Sequence, residues 1–235
     1  MRFTAIDIET TGLSPEKERI IEIGAVKYED GVQKEVFSTF VNPQTAGIPE
    51  RITELTGITD EMVADAPAED VAMGALLRFL EGETVLLGHN VAFDFSFLKT
   101  AAARLGMAFT YEGIDTLAIA RACVPELPSK TLSALCDAYE IERERAHRAC
   151  DDALAAAELY FCLRERYFKE KESCFLPKQL SYTPKKTEPV TKRQCSYLQA
   201  IIAAKGLSLT PDYGTLTKSE ASRLIDKLIL KYGKP

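Results

Sequence analysis

The stretch of sequence that decides the fold covers residues 5–12 and reads AIDIETTG. It continues an apolar N-terminus, and residues 2–8 are predicted to form a short β-strand. Asp7 and Glu9 are two positions apart, so their side chains project from the same face of this strand. Adjacent acids at the end of an apolar strand repel each other and lose hydration, and a bound cation removes that conflict. The alternative is that the strand ends at Asp7 and both acids are hydrated.

A third acid, Asp94, follows a predicted buried strand at 84–88 and lies in the first turn of a helix predicted over 92–105. An acid at that position complements the helix dipole, which alone could explain it. Asp94 shares the apolar face of this helix with Phe97 and Ala101, however, so it points toward the sheet. A half-buried carboxylate beside a sheet needs a partner.

A fourth acid lies in a helix predicted over 149–168. The apolar face of this helix follows a helical spacing through Ala149, Ala153, Ala156, Tyr160, Leu163 and Tyr167. Asp152 lies near that face, whereas Asp151 is turned away from it by about 100°. We therefore assign chemistry to Asp152 and solvation or capping to Asp151. His147, just before the helix, is either an ordinary surface histidine or a member of the same site.

Together these patterns predict four carboxylates facing one interior edge of a sheet, with an imidazole nearby. Four uncompensated acids in one place are strongly unfavourable, and two divalent cations with oxygen-rich ligands balance them. Hard carboxylates without a cysteine or a histidine pair indicate Mg²⁺ or Mn²⁺ rather than Zn²⁺. Such a paired site clamps the attacking and leaving oxygens of a phosphoryl-transfer reaction.

The order of the other predicted elements indicates an α/β fold. Strands at 19–28 and 34–41 follow the first strand and are joined by a hairpin turn at 29–31. Helices and short strands then alternate, which predicts a mixed sheet flanked by helices. The remaining predicted elements are helices at 49–55, 68–80, 117–123 and 131–139 and a short strand ending near Asp115.

The composition is that of a globular protein. The chain has 235 residues and a net charge of -6, and at 46% hydrophobic residues it is too apolar for a disordered protein. No stretch approaches the ~20 apolar residues of a membrane span, and Asp7 interrupts the apolar run that a signal peptide needs. We therefore expect a cytoplasmic protein with no membrane partner. The six cysteines form no C-x-x-C pair, which favours reduced thiols over zinc ligands.

Charge divides the chain near residue 178. Residues 178–235 contain eleven Lys and Arg against four Asp and Glu, whereas residues 1–177 contain 18 against 31. Three prolines predict an extended linker at 173–190. Residues 191–235 are predicted to form a small basic helical module, because two S/T-x-x-E/Q capping boxes begin at Thr191 and Thr217. Nucleic-acid binding and docking on a protein partner through apolar stripes are both open for this module.

The three acidic stretches, in this order and spacing, resemble the DnaQ-like 3′–5′ exonucleases of the DEDDh branch, over about residues 1–170. The likeness is strongest to the bacterial proofreading type, as in the epsilon subunit of DNA polymerase III and the PolC exonuclease domain. It implies an exonuclease domain at 1–172 with a ribonuclease H-like fold. The resemblance also implies roles for individual residues. The implied metal ligands are Asp7, Glu9, Asp94 and Asp152, and the implied general base is His147. The residues implied to line the 3′-terminal nucleotide are Thr10, Thr11, Gly12 and Leu13. The resemblance also implies that His89 and Asn90 lie near the substrate strand.

The expected function is metal-dependent 3′–5′ hydrolysis of single-stranded or frayed DNA ends, releasing nucleoside monophosphates in proofreading or repair. The same chemistry on RNA 3′ ends, as in RNase T or oligoribonuclease, is one alternative. A non-catalytic nucleic-acid-binding adaptor is another, although the complete set of acids and the histidine count against it. Because the basic module does not match the polymerase-binding extension of the epsilon subunit, association with replication proteins is an open expectation.

Overall fold

The computed structural model describes residues 1–45, 47–143, 146–185, 188–214 and 216–234. The predicted linker and the predicted module both include positions that lie outside the described residues, namely 186, 187, 215 and 235. Among the described residues, no helix has the length and apolar character that a membrane crossing requires.

Six strands form one mixed sheet in the order β3-β2-β1-β4-β5-β6. β1 pairs antiparallel with β2 and parallel with β4, which confirms the predicted α/β fold. The strands are β1 (Arg2–Thr10), β2 (Ile20–Glu29), β3 (Val32–Phe40), β4 (Val85–Gly88), β5 (Glu112–Asp115) and β6 (Lys178–Gln179).

Helices cover both faces of this sheet. They are α1 (Glu50–Thr56), α2 (Asp60–Ala64), α3 (Glu69–Phe79), α4 (Val91–Arg104), α5 (Thr116–Cys123), α6 (Leu132–Tyr139), α7 (Ala149–Lys171), α8 (Lys192–Ala204) and α9 (Lys218–Tyr232). Phe3 and Ala5 of β1 pack in one core with α5, α6 and α7, whereas Ile6 and Ile8 pack in a second core with α3 and α4. Because side chains alternate along a strand, Asp7 and Glu9 continue the row that faces α7.

The segment after α7 differs from the predicted linker, because its first part belongs to the exonuclease-like domain. Phe175 is buried in the α7 core, and Lys178 pairs with Gly113 in the sheet. Leu180 packs against the α4 core, and the Tyr182 hydroxyl donates to Glu16 Oε1 at 2.6 Å. Apolar burial and strand pairing therefore extend the first domain ten residues beyond the predicted boundary at 172.

The last two helices pack around an apolar core of their own, which includes Leu198, Ile201 and Leu224. Both predicted capping boxes are present. The Thr191 hydroxyl accepts from Gln194 N, and the Thr217 hydroxyl accepts from Glu220 N.

Candidate active site

The end of β1 lies beneath the first turn of α7 because Gly24 allows a close approach. In the sheet, Asp7 is opposite Gly24 and Glu9 is opposite Glu22. A Cβ atom added to Gly24 would lie 2.3 Å from the backbone carbon of Ala149, so no other residue fits here without movement of the helix. This contact places the start of α7 directly beside the two acids of β1.

We expect Gly24→Ala to lower both the melting temperature and the exonuclease activity, since the added methyl group must push the start of α7 away from β1. Strain of this kind destabilises by roughly 1–3 kcal/mol. Gly74→Ala is the matched control, because Gly74 is in helix α3 and an added Cβ there meets only Arg78 Nη1, at 3.7 Å. Alanine should be neutral or stabilising in that helix. Equal thermal stability for the two variants would contradict the steric argument.

Three of the predicted site residues converge at the mouth of the site. Ligand atoms of Glu9, His147 and Asp152 all lie within 4.8 Å of one another. Asp152 is buried, and its Oδ2 accepts a hydrogen bond from His147 N at 3.1 Å. His147 is exposed and has a φ of 60°, which turns the chain sharply before α7. Asp151, the neighbour of Asp152, is outside this group of ligand atoms.

Asp94 reaches the same site from the other face of the sheet. Its Oδ1 accepts from Ile8 N at 3.1 Å, which places the carboxylate between Asp7 and Glu9 along β1. Helix α4 begins after Asn90, which has a left-handed φ of 70° and donates its N–H to Asp115 Oδ1 at 2.9 Å. Asp115 also caps α5 by accepting from Leu117 N.

Burial raises the pKa of each of the four predicted ligands, and repulsion between carboxylates adds to this for Asp7, Glu9 and Asp94. Burial is the larger cause for Asp7, followed by the charges of Asp94 and Glu9. The pKa of Glu9 rises to about 8, because the side chain is desolvated and faces Asp152 and Glu22. Burial also raises the pKa values of Asp94 and Asp152. The site therefore holds its acids in their ionised form only at a considerable free-energy cost.

Two arginines offset part of this negative charge. Arg148 Nη2 lies 2.7 Å from Glu22 Oε1, and Ala149 N also donates to Glu22. Arg143 Nη1 lies 3.1 Å from Asp152 Oδ1. Sequence reasoning missed Glu22 and both arginines, although an acid inside the apolar run IIEIGA was a detectable signal.

The donor set fits divalent cations. Five carboxylates, Glu22 included, meet two guanidinium groups among the described residues, which leaves an excess of negative charge. Oxygen donors with one imidazole at the edge match the preferences of hard divalent cations, and binding such ions would remove the repulsion. Among the described residues, Glu9, His147 and Asp152 have ligand atoms close enough together to share one such ion.

The metal-free protein should lose stability as the pH rises. An acid whose pKa is higher in the folded than in the unfolded state makes folding less favourable once the pH exceeds the unfolded value. For Glu9 this window runs from its ordinary 4.5 to about 8. With chelator present, we expect the melting temperature of wild type to fall across this range relative to Glu9→Gln. A loss of 1 kcal/mol corresponds to about 2–4 °C in a protein of this size.

The same measurement with Mg²⁺ or Mn²⁺ should show a stabilisation that grows with pH, because metal ions and protons compete for the same oxygens. The prediction would be wrong if the melting temperatures of wild type and Glu9→Gln changed with pH in parallel, with and without metal. Neighbouring groups of the protein would then compensate the charge of Glu9.

The loop after β1 contains the residues expected to line the 3′-terminal nucleotide. Leu13 is 81% exposed. The hydroxyls of Thr10 and Thr11 instead make internal bonds, donating to Gly12 O and Glu18 Oε2 at 2.7 Å each. These two hydroxyls shape the loop.

His89 and Asn90, which are also expected near the substrate strand, differ in their exposure to solvent. His89 is half-buried, with Nε2 donating to Lys130 O at 2.8 Å and Nδ1 3.0 Å from Thr116 Oγ1. Its two ring nitrogens therefore join β4 to α5 and the loop before α6. Asn90 is exposed at the start of α4.

Known proteins with similar structures and sequences were found for this fold. The chain resembles the zinc-bound complex of Escherichia coli exonuclease I with single-stranded DNA, with a TM-score of 0.66, 22% identity and coverage of 72% of this chain and 41% of that one. This likeness concerns the fold, which the two proteins share. The sequence profile of the RNase_T exonuclease family matches residues 4–160. The chain therefore belongs to this exonuclease family, in its DnaQ-like 3′–5′ branch, and membership implies a divalent metal.

Two relatives define its position within the family. The chain is 42% identical over 164 residues to the PolC-type DNA polymerase III of Caldanaerobacter subterraneus, covering 70% of this chain and 12% of that protein. It is 36% identical over 164 residues to the DNA polymerase III subunit epsilon of Aquifex aeolicus, covering 69% of this chain and 80% of that one. The chain thus spans only about an eighth of the length of the PolC-type relative.

Proposed function

We propose that this protein is a metal-dependent 3′–5′ exonuclease that removes nucleoside 5′-monophosphates from single-stranded or frayed 3′ ends of DNA. The observation that carries the proposal is the convergence of Glu9, His147 and Asp152 beside Asp7 and Asp94 at the end of one strand. DNA is favoured over RNA as the substrate because the two relatives described above are a PolC-type DNA polymerase III and an epsilon subunit of DNA polymerase III. A role in proofreading or repair in the cytoplasm is part of this proposal, and the similarity to DNA polymerase III proteins supports a role in DNA replication.

The chemistry divides among residues already described. Two divalent cations, Mg²⁺ or Mn²⁺, held by the four carboxylates would stabilise the negative charge that develops on the scissile phosphate. His147, exposed at the mouth of the site, accepts a proton from the attacking water. The water oxygen bonds to phosphorus, and the bond from phosphorus to the 3′ oxygen of the preceding nucleotide breaks. That oxygen then takes a proton from solvent.

The remaining residues position the substrate. Leu13 supports the terminal base, and the loop 10–13 surrounds the 3′-terminal nucleotide. Arg143 and Arg148 keep Asp152 and Glu22 in place through the ion pairs described above. The C-terminal module is proposed to contact the DNA strand or a replication protein through its basic and apolar faces.

A direct test uses 5′-labelled oligonucleotides of DNA and RNA, single-stranded or with a mismatched 3′ end, in Mg²⁺ or Mn²⁺. The proposal requires stepwise shortening from the 3′ end, release of 5′-monophosphates, loss of activity with chelator, and preference for DNA. Equal or faster degradation of RNA would reassign the substrate, and binding without hydrolysis would favour the adaptor.

A further inference from the structure

The loop between β1 and β2, residues 11–19, is held from outside by the C-terminal segment. Three of its residues bind that segment within a span of four positions. The Tyr182 hydroxyl donates to Glu16, Arg223 Nη2 donates to Lys17 O at 3.4 Å, and Arg19 Nη1 lies 2.9 Å from Glu220 Oε1. All of these C-terminal partners lie beyond the region that the exonuclease family profile matches.

The Arg19–Glu220 ion pair is the buried part of this contact. The two side chains are only 9% and 7% exposed. A charge removed from water to this extent is favourable only while its partner is present. The surrounding interface is loosely packed, with a cavity of about 240 Å³ lined by Thr11, Arg19 and Leu224 among others. Polar contacts rather than apolar packing therefore fix the module against the loop.

Arg19 connects this ion pair to the substrate side of the loop. Its backbone N–H donates to Thr11 Oγ1 at 3.0 Å, and Thr11 N–H donates to Arg19 O at 2.9 Å. Thr11 immediately precedes Gly12 and Leu13, which under the proposed function line the 3′-terminal nucleotide. A shift of Arg19 would thus move the backbone that surrounds the 3′-terminal nucleotide.

We infer that Glu220 and Arg19 are positioning residues for the 3′-terminal nucleotide. In this inference, the C-terminal module holds the loop 11–19 in the conformation that binds this nucleotide. The kinetic consequence rests on the proposed function, whereas the structural consequence does not. Since the module orders the loop without touching the reacting atoms, its loss should raise KM for the terminal nucleotide more than it lowers kcat.

Glu220→Gln separates this role from helix capping. Glu220 Oε2 accepts from Thr217 N within the capping box of α9, and in the equivalent box of α8 a glutamine, Gln194, accepts from Thr191 N. Glutamine should therefore keep the cap of α9 and remove only the charge that faces Arg19. Glu188→Gln is the matched control, because Glu188 pairs with Lys218 at 2.7 Å on the exposed surface of the same module.

The first readout is hydrogen–deuterium exchange of peptides covering residues 10–18 in the metal-free protein. We expect faster exchange there in Glu220→Gln and in Arg19→Met, and no change in Glu188→Gln. The double variant should exchange no faster than the more affected single variant, since both substitutions break one contact. Unchanged exchange in both single variants, or additive effects in the double variant, would overturn the inference.

The second readout is hydrolysis of the p-nitrophenyl ester of thymidine 5′-monophosphate, which occupies the terminal-nucleotide site and is too short to reach the module. Glu220→Gln should raise KM by roughly 3- to 10-fold with kcat nearly unchanged. An unchanged KM beside an active wild type contradicts the positioning role. A wild type that hydrolyses neither the ester nor DNA, together with the expected exchange pattern, contradicts the proposed function alone.

Discussion

We expect Asp152→Asn to remove nearly all 3′–5′ exonuclease activity and Asp151→Ala to leave most of it. The asparagine oxygen can still accept the hydrogen bond from His147 N, so the variant loses the charge that would bind metal while keeping the local geometry. Asp7→Ala, Glu9→Ala and Asp94→Ala should be equally inactive, because each removes a ligand from one shared site. The variants should remain folded, since each loses a repulsive neighbour.

Release of monophosphates from labelled single-stranded DNA measures the activity, and calorimetric titration with Mn²⁺ measures the metal affinity. Thermal melting in chelator shows that the fold is intact. An inactive Asp151→Ala beside an active Asp152→Asn would reverse the assignment of the helical face and, with it, the identity of the fourth ligand.

His147→Ala should lower kcat by roughly 10²–10⁴-fold, the usual effect of a lost general base. Its metal affinity should change little, because four carboxylates remain to hold the ions. The His147 side chain is exposed, so its removal leaves no cavity and the melting temperature should stay close to that of wild type. These three expectations together distinguish a proton acceptor from a structural residue or a metal ligand.

The pH dependence of the rate provides the control for His147. Any part of the rise in rate with pH that depends on a proton acceptor at position 147 should disappear in His147→Ala. If the rate of His147→Ala rose with pH as it does in wild type, the increase would be due to the carboxylates, and His147 would have no role in proton transfer. Added imidazole offers a second check, since a small base that enters the exposed site should restore part of the rate.

Most of the fold could be predicted from the sequence because its elements carry strong local signals. Helix α7 was bounded by its apolar spacing, and the observed Ala149–Lys171 begins at the predicted residue. The same spacing separates buried Asp152 from Asp151, which is only half-buried. The order of strands before alternating helices was sufficient for the mixed sheet.

Other features depend on contacts that a linear pattern does not record. Arg148 and Glu22 are 126 positions apart, so nothing local indicates their ion pair. β6 has only two residues, too few to show the alternation of apolar and polar side chains that indicates a strand. The sequence therefore predicts a linker at this position. The capping box predicted where α9 begins. Only the three-dimensional structure shows that Glu220 of this box also forms an ion pair with Arg19.

The short strand β6 also has a bearing on how the protein behaves at high concentration. Strands at the border of a sheet offer unpaired N–H and C=O groups to other molecules and promote self-association. β6 occupies that position beside β5, with Gly113 paired to Lys178 and Leu180 N–H donating to Tyr111 O. At the opposite border, β3 is mostly exposed and carries Lys34 and Glu35, which discourage such pairing. A shortened chain that ends before Lys178 would uncover the backbone of β5 at Gly113, which has no side chain to hinder pairing with another molecule. We expect its solubility to fall before its catalytic residues are disturbed.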